Sequence, residues 1–362
     1  MAEVLPWQNS PDPRATLDRI VQVLNEGGLV AFPTDTTYLL AATASVPAAV
    51  ERLLPHHSAS EPLALAVLGV AQAVELLPAM SPMARRLARR CWPGPVTLVC
   101  PGGLAGAAGI PDAVKEKVVL EGHLSLRCPA HSAILHALHE LGTPLVVAAS
   151  SAVTAAELPQ SAAEDAAVIL DDGPCRFGRS PTVVRVEGDC WEVLHEGLIT
   201  REQLQVQAAC VIVFVCTGNT CRSPLAEALC KKRLAERLSC PIEELPQRGF
   251  VVLSAGVAAF DGDEAAAPAV EVARTYGADL SGHVSQHLDQ HLAAQADHLI
   301  CMTQGHLQSL VSLFPHLACE PRLLSPSGAD LPDPIGQDEA VYRSCAEQIW
   351  QDLEALVTGF TG

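Results

Sequence analysis

Apolar residues are concentrated in two continuous runs, and each run leads directly into a short polar turn. The first is GGLVAFPTDTT at residues 27–37, and the second is CVIVFVCTGNTCRS at residues 210–223. An uninterrupted apolar run of strand length, bounded by glycine, proline or hydroxyl residues, is typical of a strand that is covered on both faces of a sheet. The pattern predicts two buried strands that deliver polar loops, and their wide separation places them in different domains.

The second half of the chain alternates between short apolar runs and longer amphipathic segments. The predicted strands are 211–215, 250–256 and 298–302, and the predicted helices are 224–238, 267–276, 305–313 and 339–357. Strands that alternate with helices pair in parallel and carry helices on both faces of the sheet. We therefore predict a doubly wound parallel α/β sheet, whose first helix begins at Pro224 because proline suits the first helical position.

The chain length of 362 residues also favours two domains. The stretch GLITREQLQVQAA at residues 197–209 is polar and poor in core-forming residues, so the domain boundary is placed there. The predicted domains are residues 1–205 and residues 210–362.

Composition and charge narrow the class of protein. Hydrophobic residues make up 49% of the chain and charged residues 18%, which indicates a globular protein. The formal net charge of −18 divides into −8 before residue 210 (14 Lys+Arg against 22 Asp+Glu) and −10 from residue 210 onward (9 against 19). Neither half has the positive charge that attracts a nucleic-acid backbone, so a nucleic-acid partner is not expected.

The N-terminus and the cysteines indicate a protein of the reducing cytoplasm. The first residues lack the features of a signal peptide, and the longest apolar run, Pro62–Val74, is shorter than the roughly 18 residues of a membrane span. The 13 cysteines are odd in number and scattered, which fits neither a disulfide framework nor a zinc site. We expect a cytoplasmic protein without a membrane segment or a bound metal.

The chemistry is clearest in the loop that follows the second apolar run. Cys216 ends the strand, and Arg222 follows six positions later at the start of a helix. Backbone N–H groups at a helix N-terminus bind an oxyanion and stabilise a thiolate, and an arginine forks onto two phosphate oxygens. The spacing predicts a cysteine nucleophile that attacks phosphorus, although C-x5-R alone also fits a buried cysteine with an unrelated arginine. The loop residues expected to hold the anion or the thiolate are Thr217, Gly218, Asn219, Thr220, Cys221 and Ser223.

The string CTGNTCRSPLAEA resembles the loop of the low-molecular-weight protein-tyrosine phosphatases. The strings SAGVAA (254–259), LSGHVSQHL (280–288) and ADHLICMT (296–303) resemble later landmarks of that family in the same order. The resemblance implies a phosphatase without a cofactor, which acts on a phosphorylated protein through a thiophosphate on Cys216. It also implies that the aspartate of LPDPIGQ, Asp333, is the general acid and that Arg222 binds phosphate.

Within this family the substrate is phosphotyrosine or phosphoarginine. The letters CTGNTCRS match those of bacterial protein-arginine phosphatases, whereas tyrosine-directed members commonly have an aliphatic residue in place of Thr220. Ile335 stands where the family usually has an aromatic residue that contacts the substrate ring. The two positions favour phosphoarginine.

Two alternatives concern the cysteines. Cys221 is either a redox partner of Cys216, as in some family members, or a small core residue. A thioredoxin-coupled arsenate reductase shares the loop but needs two further cysteines that are closely spaced, whereas Cys301 and Cys319 are 18 positions apart. The phosphatase is the favoured interpretation.

The first half resembles the YrdC-like family of threonylcarbamoyl-AMP synthases over about residues 12–205. The matching strings are PTDTTY (33–38), WPGPVTLV (92–99), LRCP (126–129), DDGPCRFG (171–178), TVVRV (182–186) and VLHEGLIT (193–200). The resemblance implies a twisted mixed α/β sheet with a large cavity and, in an active member, the condensation of L-threonine, bicarbonate and ATP with Mg²⁺. The polar residues that match and could line a pocket are Thr34, Thr37, Tyr38, Thr97, Arg127 and Thr182, each of which also suits an ordinary turn or cap.

Several groups that the family uses for ATP are missing. Pro55 and His57 replace a Lys-x-Arg pair, and PLVVAASSAVTA (144–155) lacks the asparagine of a Ser-x-Asn motif. Leu39 replaces a glycine, and Ser180-Pro181-Thr182 replaces a Ser-Thr pair. Each charged hydrogen bond contributes about 1.5–3 kcal/mol, so these changes disfavour triphosphate binding unless other groups compensate.

Three hypotheses follow for the whole chain. In the first, the phosphatase is fused to an inactive YrdC-like module that binds a nucleotide or a small metabolite. In the second, the chain is bifunctional and also makes threonylcarbamoyl-AMP for tRNA modification from ATP and L-threonine. In the third, the first half is a binding or regulatory module that brings the phosphatase to a partner or reports ATP levels. The missing ATP-binding groups favour a binding module over a synthase. The double-stranded RNA affinity of the family is not supported, because the first half has a net charge of −8.

Overall fold

The structure, a computed structural model, describes residues 2–57, 63–104, 107, 109–315, 317 and 319–361. The chain folds into two compact units, Met1–Gln207 and Ala208–Gly362. Among the residues in these ranges, no helix is both long and apolar enough to cross a membrane.

The first unit is built on one large sheet. Its strands are β1 (Glu3–Pro6), β2 (Leu29–Phe32), β3 (Leu39–Thr43), β4 (Ala64–Ala66), β5 (Val96–Pro101), β6 (Val119–Leu120), β7 (His123–Arg127), β8 (Leu145–Ala149), β9 (Ala166–Asp171), β10 (Thr182–Glu187) and β11 (Cys190–His195). Their order across the sheet is β1-β9-β2-β3-β8-β4-β7-β5-β10-β11, with β6 paired to β7. The pairs β1–β9, β2–β9, β4–β7 and β5–β10 are parallel and the others are antiparallel, which confirms the predicted mixed sheet.

Helices cover this sheet and complete its core. They are α1 (Pro13–Asn25), α2 (Pro47–Leu53), α3 (Val70–Leu76), α4 (Pro82–Cys91), α5 (Asp112–Val118), α6 (Ser132–Leu141), α7 (Gln160–Asp165) and α8 (Arg201–Ala208). Ile20 of α1 and Leu138 of α6 pack in one apolar core with residues of the sheet such as Phe32 of β2. The longest apolar run of the sequence forms β4 and α3 here, and Pro62 itself lies outside the described residues.

The second unit is built on a smaller parallel sheet. Its strands are β12 (Cys210–Cys216), β13 (Phe250–Gly256), β14 (His298–Cys301) and β15 (Arg322–Leu323), in the order β13-β12-β14-β15. The helices are α9 (Arg222–Leu238), α10 (Ala267–Thr275), α11 (Gln290–Gln295), α12 (Gln304–Leu313) and α13 (Glu339–Thr361). All the strand pairs are parallel, as the alternating pattern predicted.

The side chains of β12 alternate between two cores. Ile212 and Phe214 pack with α9, α10 and α13, whereas Val213 and Val215 pack with residues of α11 and α12. Every residue of β12 is buried, which is the reason for its continuous apolar sequence. The predicted doubly wound sheet is therefore present, with Cys216 at the carboxyl end of a central strand.

Two local details differ from the sequence prediction. Helix α9 begins at Arg222, so Pro224 is its third residue rather than its first. Proline is tolerated there because the N–H groups of a first helical turn have no partner inside the helix. The polar stretch 197–209 contains α8, in which Leu204 is fully buried, and the two units divide after Gln207.

Candidate functional site

The loop from Cys216 to Arg222, here called the phosphate loop, connects the central strand β12 to the first turn of α9. Cys216 is 3% exposed and Arg222 is 5% exposed. A parallel strand ends at the same edge of the sheet at which the following helix begins. The loop is thereby held at the N-terminus of α9, where backbone N–H groups favour an anion.

Two polar groups contact the sulfur of Cys216. The Oγ atom of Ser223 lies 2.9 Å from Sγ, and the backbone N–H of Asn219 donates to Sγ at 3.2 Å. Asn219 has a φ of +55°, a left-handed conformation that asparagine tolerates better than most residues. Both contacts can donate to sulfur, so they suit the thiolate form that a nucleophile needs.

A buried chain of hydrogen bonds supports these two groups from behind. The Nδ2 atom of Asn219 donates to Ser223 Oγ at 3.0 Å and to Ser254 Oγ at 2.9 Å. The Ser254 hydroxyl donates in turn to Glu227 Oε2 at 2.6 Å, and Glu227 pairs with Lys231. The side chain that orients the loop is thus itself fixed from β13 and α9.

Segments that follow β13 hold the other side of the loop. The backbone N–H of Gln286 donates to Asn219 Oδ1 at 2.9 Å, and His283 Nε2 lies 2.8 Å from the Asn219 carbonyl oxygen. At Gly256, a Cβ atom would lie 2.4 Å from the carbonyl oxygen of Thr217, so the loop packs directly on this glycine.

Arg222 and Asp333 meet in the structure, as the sequence order suggested. Arg222 Nη2 donates to Asp333 Oδ2 at 2.6 Å, and Nη1 donates to the Leu331 carbonyl oxygen at 3.4 Å. The Asp333 side chain is 45% exposed, and its Oδ1 accepts the backbone N–H of Ile335. A carboxyl group that is accessible to solvent therefore lies beside the phosphate loop.

The remaining residues predicted for the loop have different surroundings. Thr217 Oγ1 lies 2.9 Å from His306 Nε2, and the Thr220 carbonyl oxygen accepts from the N–H of Ala266. At Gly218, a Cβ atom would have one neighbour within 4 Å, Thr220 Oγ1 at 3.8 Å, so no other protein group crowds this position.

Cys221 is buried and reduced. Its Sγ lies 3.3 Å from the hydroxyl of Tyr342, and all 13 cysteines of the chain are free thiols. Burial, together with the contact to Cys221, raises the pKa of Tyr342. The Tyr342 hydroxyl therefore stays protonated and can donate to the sulfur.

His306 was not among the candidates from the sequence. It is 6% exposed, and its two ring nitrogens lie 2.9 Å from Thr217 Oγ1 and 2.9 Å from Thr303 Oγ1. Burial lowers the pKa of His306 to about 4, and the positive charge of Arg222 acts in the same direction. The imidazole is accordingly neutral at pH 7.

In the first unit, the sheet and its loops enclose a cleft of about 600 Å³. Thr37 lines this cleft, and its Oγ1 atom is buried without a hydrogen-bond partner. Ser150, Ser180 and His195 also line it, and Ser180 Oγ lies 2.9 Å from His195 Nε2. The cleft is thus rich in hydroxyl groups, and the Thr37 hydroxyl beside it is buried without a partner.

Three of the six predicted pocket residues serve the internal structure. The Tyr38 side chain is fully buried, and its hydroxyl donates to the Gly173 carbonyl oxygen at 3.3 Å. Thr34 Oγ1 donates to the Thr37 carbonyl oxygen at 2.6 Å. Thr182 Oγ1 donates to the Ile199 carbonyl oxygen at 2.7 Å, which ties β10 to the chain that follows β11.

Thr97 and Arg127 line a small cavity that shares Ala149 with the main cleft, and they are not among the residues that line the main cleft itself. Arg127 is 2% exposed, donates to Thr36 Oγ1 at 2.5 Å and pairs with Asp35 at 3.7 Å. Its charge is therefore committed to a buried network under the turn after β2.

The main cleft offers little positive charge to a phosphate. Among the described residues that line it there is no lysine or arginine, and the titratable groups are His56 and His195. His56 Nε2 lies 2.8 Å from Asp165 Oδ2. The described residues also contain no cluster of histidine, cysteine and carboxylate groups that could hold a metal ion. These residues do not fit a Mg²⁺-bound triphosphate.

The sequence contained a signal for the residues that it did not assign. Ser254 and Gly256 belong to SAGVAA, His283 and Gln286 to LSGHVSQHL, and His306 follows ADHLICMT by three positions. The order of these strings along the chain was visible. Their convergence on one loop depends on the parallel sheet, which places the carboxyl ends of β12, β13 and β14 side by side.

Comparisons with known families agree with this division of the chain. Residues 211–361 match the family model described as low molecular weight phosphotyrosine protein phosphatase. Residues 22–197 match the Sua5/YciO/YrdC model, which is described as telomere recombination.

Relatives were found for both units. A protein-arginine-phosphatase of Geobacillus stearothermophilus is 35% identical over 150 residues, which cover 40% of this chain and 90% of the relative. A threonylcarbamoyl-AMP synthase of Bacillus subtilis is 31% identical over 195 residues, which cover 51% of this chain and 54% of the relative. The chain thus spans about half the length of that synthase. A crystal structure of a YwlE mutant from Bacillus subtilis is 33% identical and covers 42% of this chain and 100% of that one, with a TM-score of 0.38.

Proposed function

The chain belongs to the low-molecular-weight phosphatase family through residues 211–361 and carries a Sua5/YciO/YrdC domain over residues 22–197, and we propose that it is a protein-arginine phosphatase tethered to a ligand-binding module. The proposed functional domains are residues 210–362 and residues 1–205. One observation carries the phosphatase proposal. The Cys216 sulfur lies between two donors at the start of α9, and Arg222 of the same loop holds Asp333 at 2.6 Å.

In the proposed first step, the Cys216 thiolate attacks phosphorus. The S–P bond forms while the bond from phosphorus to the leaving oxygen or nitrogen breaks, and protonated Asp333 gives its proton to that leaving atom. Arg222 binds two non-bridging phosphate oxygens throughout. A bound phosphoryl group competes with Asp333 for the guanidinium, so substrate binding frees the carboxyl group for proton transfer.

In the second step, water hydrolyses the thiophosphate. The Asp333 carboxylate accepts a proton from water as its oxygen attacks phosphorus, and the S–P bond breaks. Inorganic phosphate leaves, and the Cys216 thiolate is restored next to Ser223 and the Asn219 N–H. The cycle uses side chains and backbone groups of this unit without a cofactor.

Phosphoarginine is the proposed substrate class, with a phosphorylated protein as the partner. Thr220 stands in the loop where tyrosine-directed members of the family commonly have an aliphatic residue. The relatives with the same type of domain include a protein-arginine-phosphatase. The exposed Ile335, two positions after Asp333, offers no aromatic ring for stacking on a phosphotyrosine. These observations support a guanidinium-phosphate over an aryl phosphate.

The test of this proposal uses full-length protein with peptides that contain phosphoarginine or phosphotyrosine. We expect kcat/KM to be higher for phosphoarginine in the wild type. Cys216→Ser abolishes hydrolysis but retains binding of inorganic phosphate, because Arg222 and the loop backbone remain. Asp333→Ala lowers kcat by about 100-fold or more, most severely for substrates with poor leaving groups.

Cys190→Ser is the matched control, because Cys190 is an exposed thiol in the other unit and its replacement leaves activity unchanged. Full turnover by Cys216→Ser would contradict the mechanism. A higher kcat/KM for phosphotyrosine would contradict the substrate class alone.

For the first unit, the hydroxyl-rich cleft favours binding of a small ligand over synthesis of threonylcarbamoyl-AMP. A synthase must hold the negative charge of ATP, and no lysine or arginine lines this cleft within the described part of the chain. Arg127, which the family resemblance pointed to, is bonded to Thr36 and Asp35. The proposed module takes a ligand without a triphosphate group, rather than ATP and L-threonine as substrates.

A synthase assay tests this second proposal. Cys216→Ser protein, which has no phosphatase activity to disturb the readout, is mixed with ATP, Mg²⁺, bicarbonate and L-threonine. We expect neither pyrophosphate nor threonylcarbamoyl-AMP above a control without threonine, while circular dichroism shows a folded chain. Product formation that depends on threonine would establish the bifunctional enzyme instead.

A further inference from the structure

We propose that His306 is a positioning residue, which holds the loop that carries the general acid in register with the phosphate loop. The acid loop is defined here as residues 330–333. This inference rests on the proposed function, because Cys216 and Asp333 act together only in that reaction.

His306 connects two segments through both of its ring nitrogens. Nε2 lies 2.9 Å from Thr217 Oγ1, and Thr217 directly follows the nucleophile Cys216. Nδ1 lies 2.9 Å from Thr303 Oγ1, and Thr303 caps the N-terminus of α12. A single side chain thus links the phosphate loop to the segment between β14 and α12.

That segment holds the acid loop. The carbonyl oxygen of Met302 accepts the N–H of Leu331 at 2.9 Å, and the N–H of Gln304 donates to Asp330 Oδ1 at 2.6 Å. The acid loop is therefore attached to residues 302–304, which His306 ties to Thr217.

Arg222, in the phosphate loop, also contacts the acid loop directly. Its guanidinium donates to the Leu331 carbonyl oxygen and to Asp333 Oδ2. In the proposed reaction the guanidinium of Arg222 binds the phosphoryl group. Its hydrogen bonds to the acid loop therefore weaken at the stage when Asp333 must be correctly placed. The link through His306 runs to Thr217 and Thr303 and does not use the guanidinium of Arg222, so we expect it to persist with substrate bound.

A neutral imidazole suits this role. Thr303 Oγ1 accepts the backbone N–H of His306 at 3.3 Å and can donate its own proton to Nδ1, which leaves Nε2–H as the donor to Thr217. The neutral ring also adds no charge beside Arg222, Asp330 and Asp333, the charged groups that face it. His306 can therefore position the acid loop without adding charge to the phosphate site.

The test compares substrates that differ in their need for the acid. Phenyl phosphate has a poor leaving group and requires protonation by Asp333, whereas p-nitrophenyl phosphate requires it much less. For His306→Asn in the full chain, we expect kcat/KM, which reports on formation of the thiophosphate and hence on Asp333 as the acid, to fall about tenfold with phenyl phosphate and less than about threefold with p-nitrophenyl phosphate. The inhibition constant of inorganic phosphate stays within about twofold of the wild type, because the phosphate loop keeps its own hydrogen bonds.

Thr303→Val is a second variant, which removes the partner of Nδ1 without changing the histidine, and we expect the same selective loss. His291→Ala is the matched control, since His291 is an exposed histidine on α11. Its kinetics are expected to equal those of the wild type with both substrates.

Two results would overturn the inference. One is an equal loss of kcat/KM with both substrates in His306→Asn and Thr303→Val, which would indicate general loosening of the unit. The other is unchanged kinetics in both variants. Failure of the proposed function gives a different result. In that case the wild-type protein shows no hydrolysis that depends on Cys216, whatever the residue at position 306.

Discussion

The protonation of His306 couples the site to pH at the scale of a single residue. Its pKa is lowered to about 4 from an ordinary value of 6.5, first by burial and then by the charge of Arg222, while Asp333 and Asp330 act in the opposite direction. Between these two pH values, the unfolded chain binds a proton at this residue that the folded chain does not. Folding stability from this group is therefore complete above about pH 6.5 and is lost as the pH falls toward 4.

This linkage predicts a difference between the wild type and His306→Asn. Asparagine does not titrate, so the variant does not lose folding stability through protonation at this position as the pH falls. At pH 7 we expect the wild type to have the higher melting temperature, and at pH 5 we expect the gap to narrow. Thermal denaturation followed by circular dichroism at the two pH values measures it, and a gap that stays constant would contradict the assignment.

At the scale of secondary-structure elements, the phosphate loop depends on the end of the neighbouring strand. Gly256 ends β13 beside Cys216, and a Cβ atom there would lie 2.4 Å from the Thr217 carbonyl oxygen and 2.8 Å from Ala259 Cβ. These neighbours are backbone and a short side chain, so they cannot move aside as the end of a flexible side chain can. The contact between β13 and the loop leaves no room for a methyl group.

We therefore predict that Gly256→Ala displaces the loop. The expected effect is a loss of more than about tenfold in kcat/KM and about 1–3 kcal/mol in the free energy of unfolding, as for overpacked sites. Gly359→Ala in α13 is the matched control, because a Cβ atom there has no neighbour within 4 Å. Wild-type kinetics in Gly256→Ala would show that the loop tolerates the shift.

At the scale of the whole molecule, the chain combines one unit with a complete set of proposed reaction groups and one whose cleft is lined, among the described residues, by no lysine or arginine. Net charges of −8 and −10 in the two halves give neither an overall attraction for phosphate. Anion binding must come from local geometry. The second unit provides it through Arg222 and the start of α9, whereas the cleft of the first unit offers hydroxyl groups and two histidines. The expected absence of synthase product follows from this contrast.

The sequence pattern by itself determined the parallel sheet of the second unit and predicted its proposed reaction groups Cys216 and Arg222, whereas the mixed sheet of the first unit was expected from the family resemblance. Continuous apolar runs such as 210–216 report burial on both faces directly, because a strand between two layers of helices has no polar side. Cys216 and Arg222 share one short loop, so their proximity needs no tertiary information. Asp333 was placed by family resemblance, and its contact with Arg222 agrees with that placement.

Only the tertiary structure decided how the other polar residues are used. Thr37 lines the cleft, and its hydroxyl is buried without a partner, whereas the hydroxyl of Tyr38, its neighbour in the same motif, bonds to Gly173. His306 and Ser254 reach the phosphate loop across 89 and 35 positions of sequence. A hydrogen bond depends on distances of a few tenths of an ångström between segments that are remote along the chain, and a pattern of apolar and polar residues does not encode such distances.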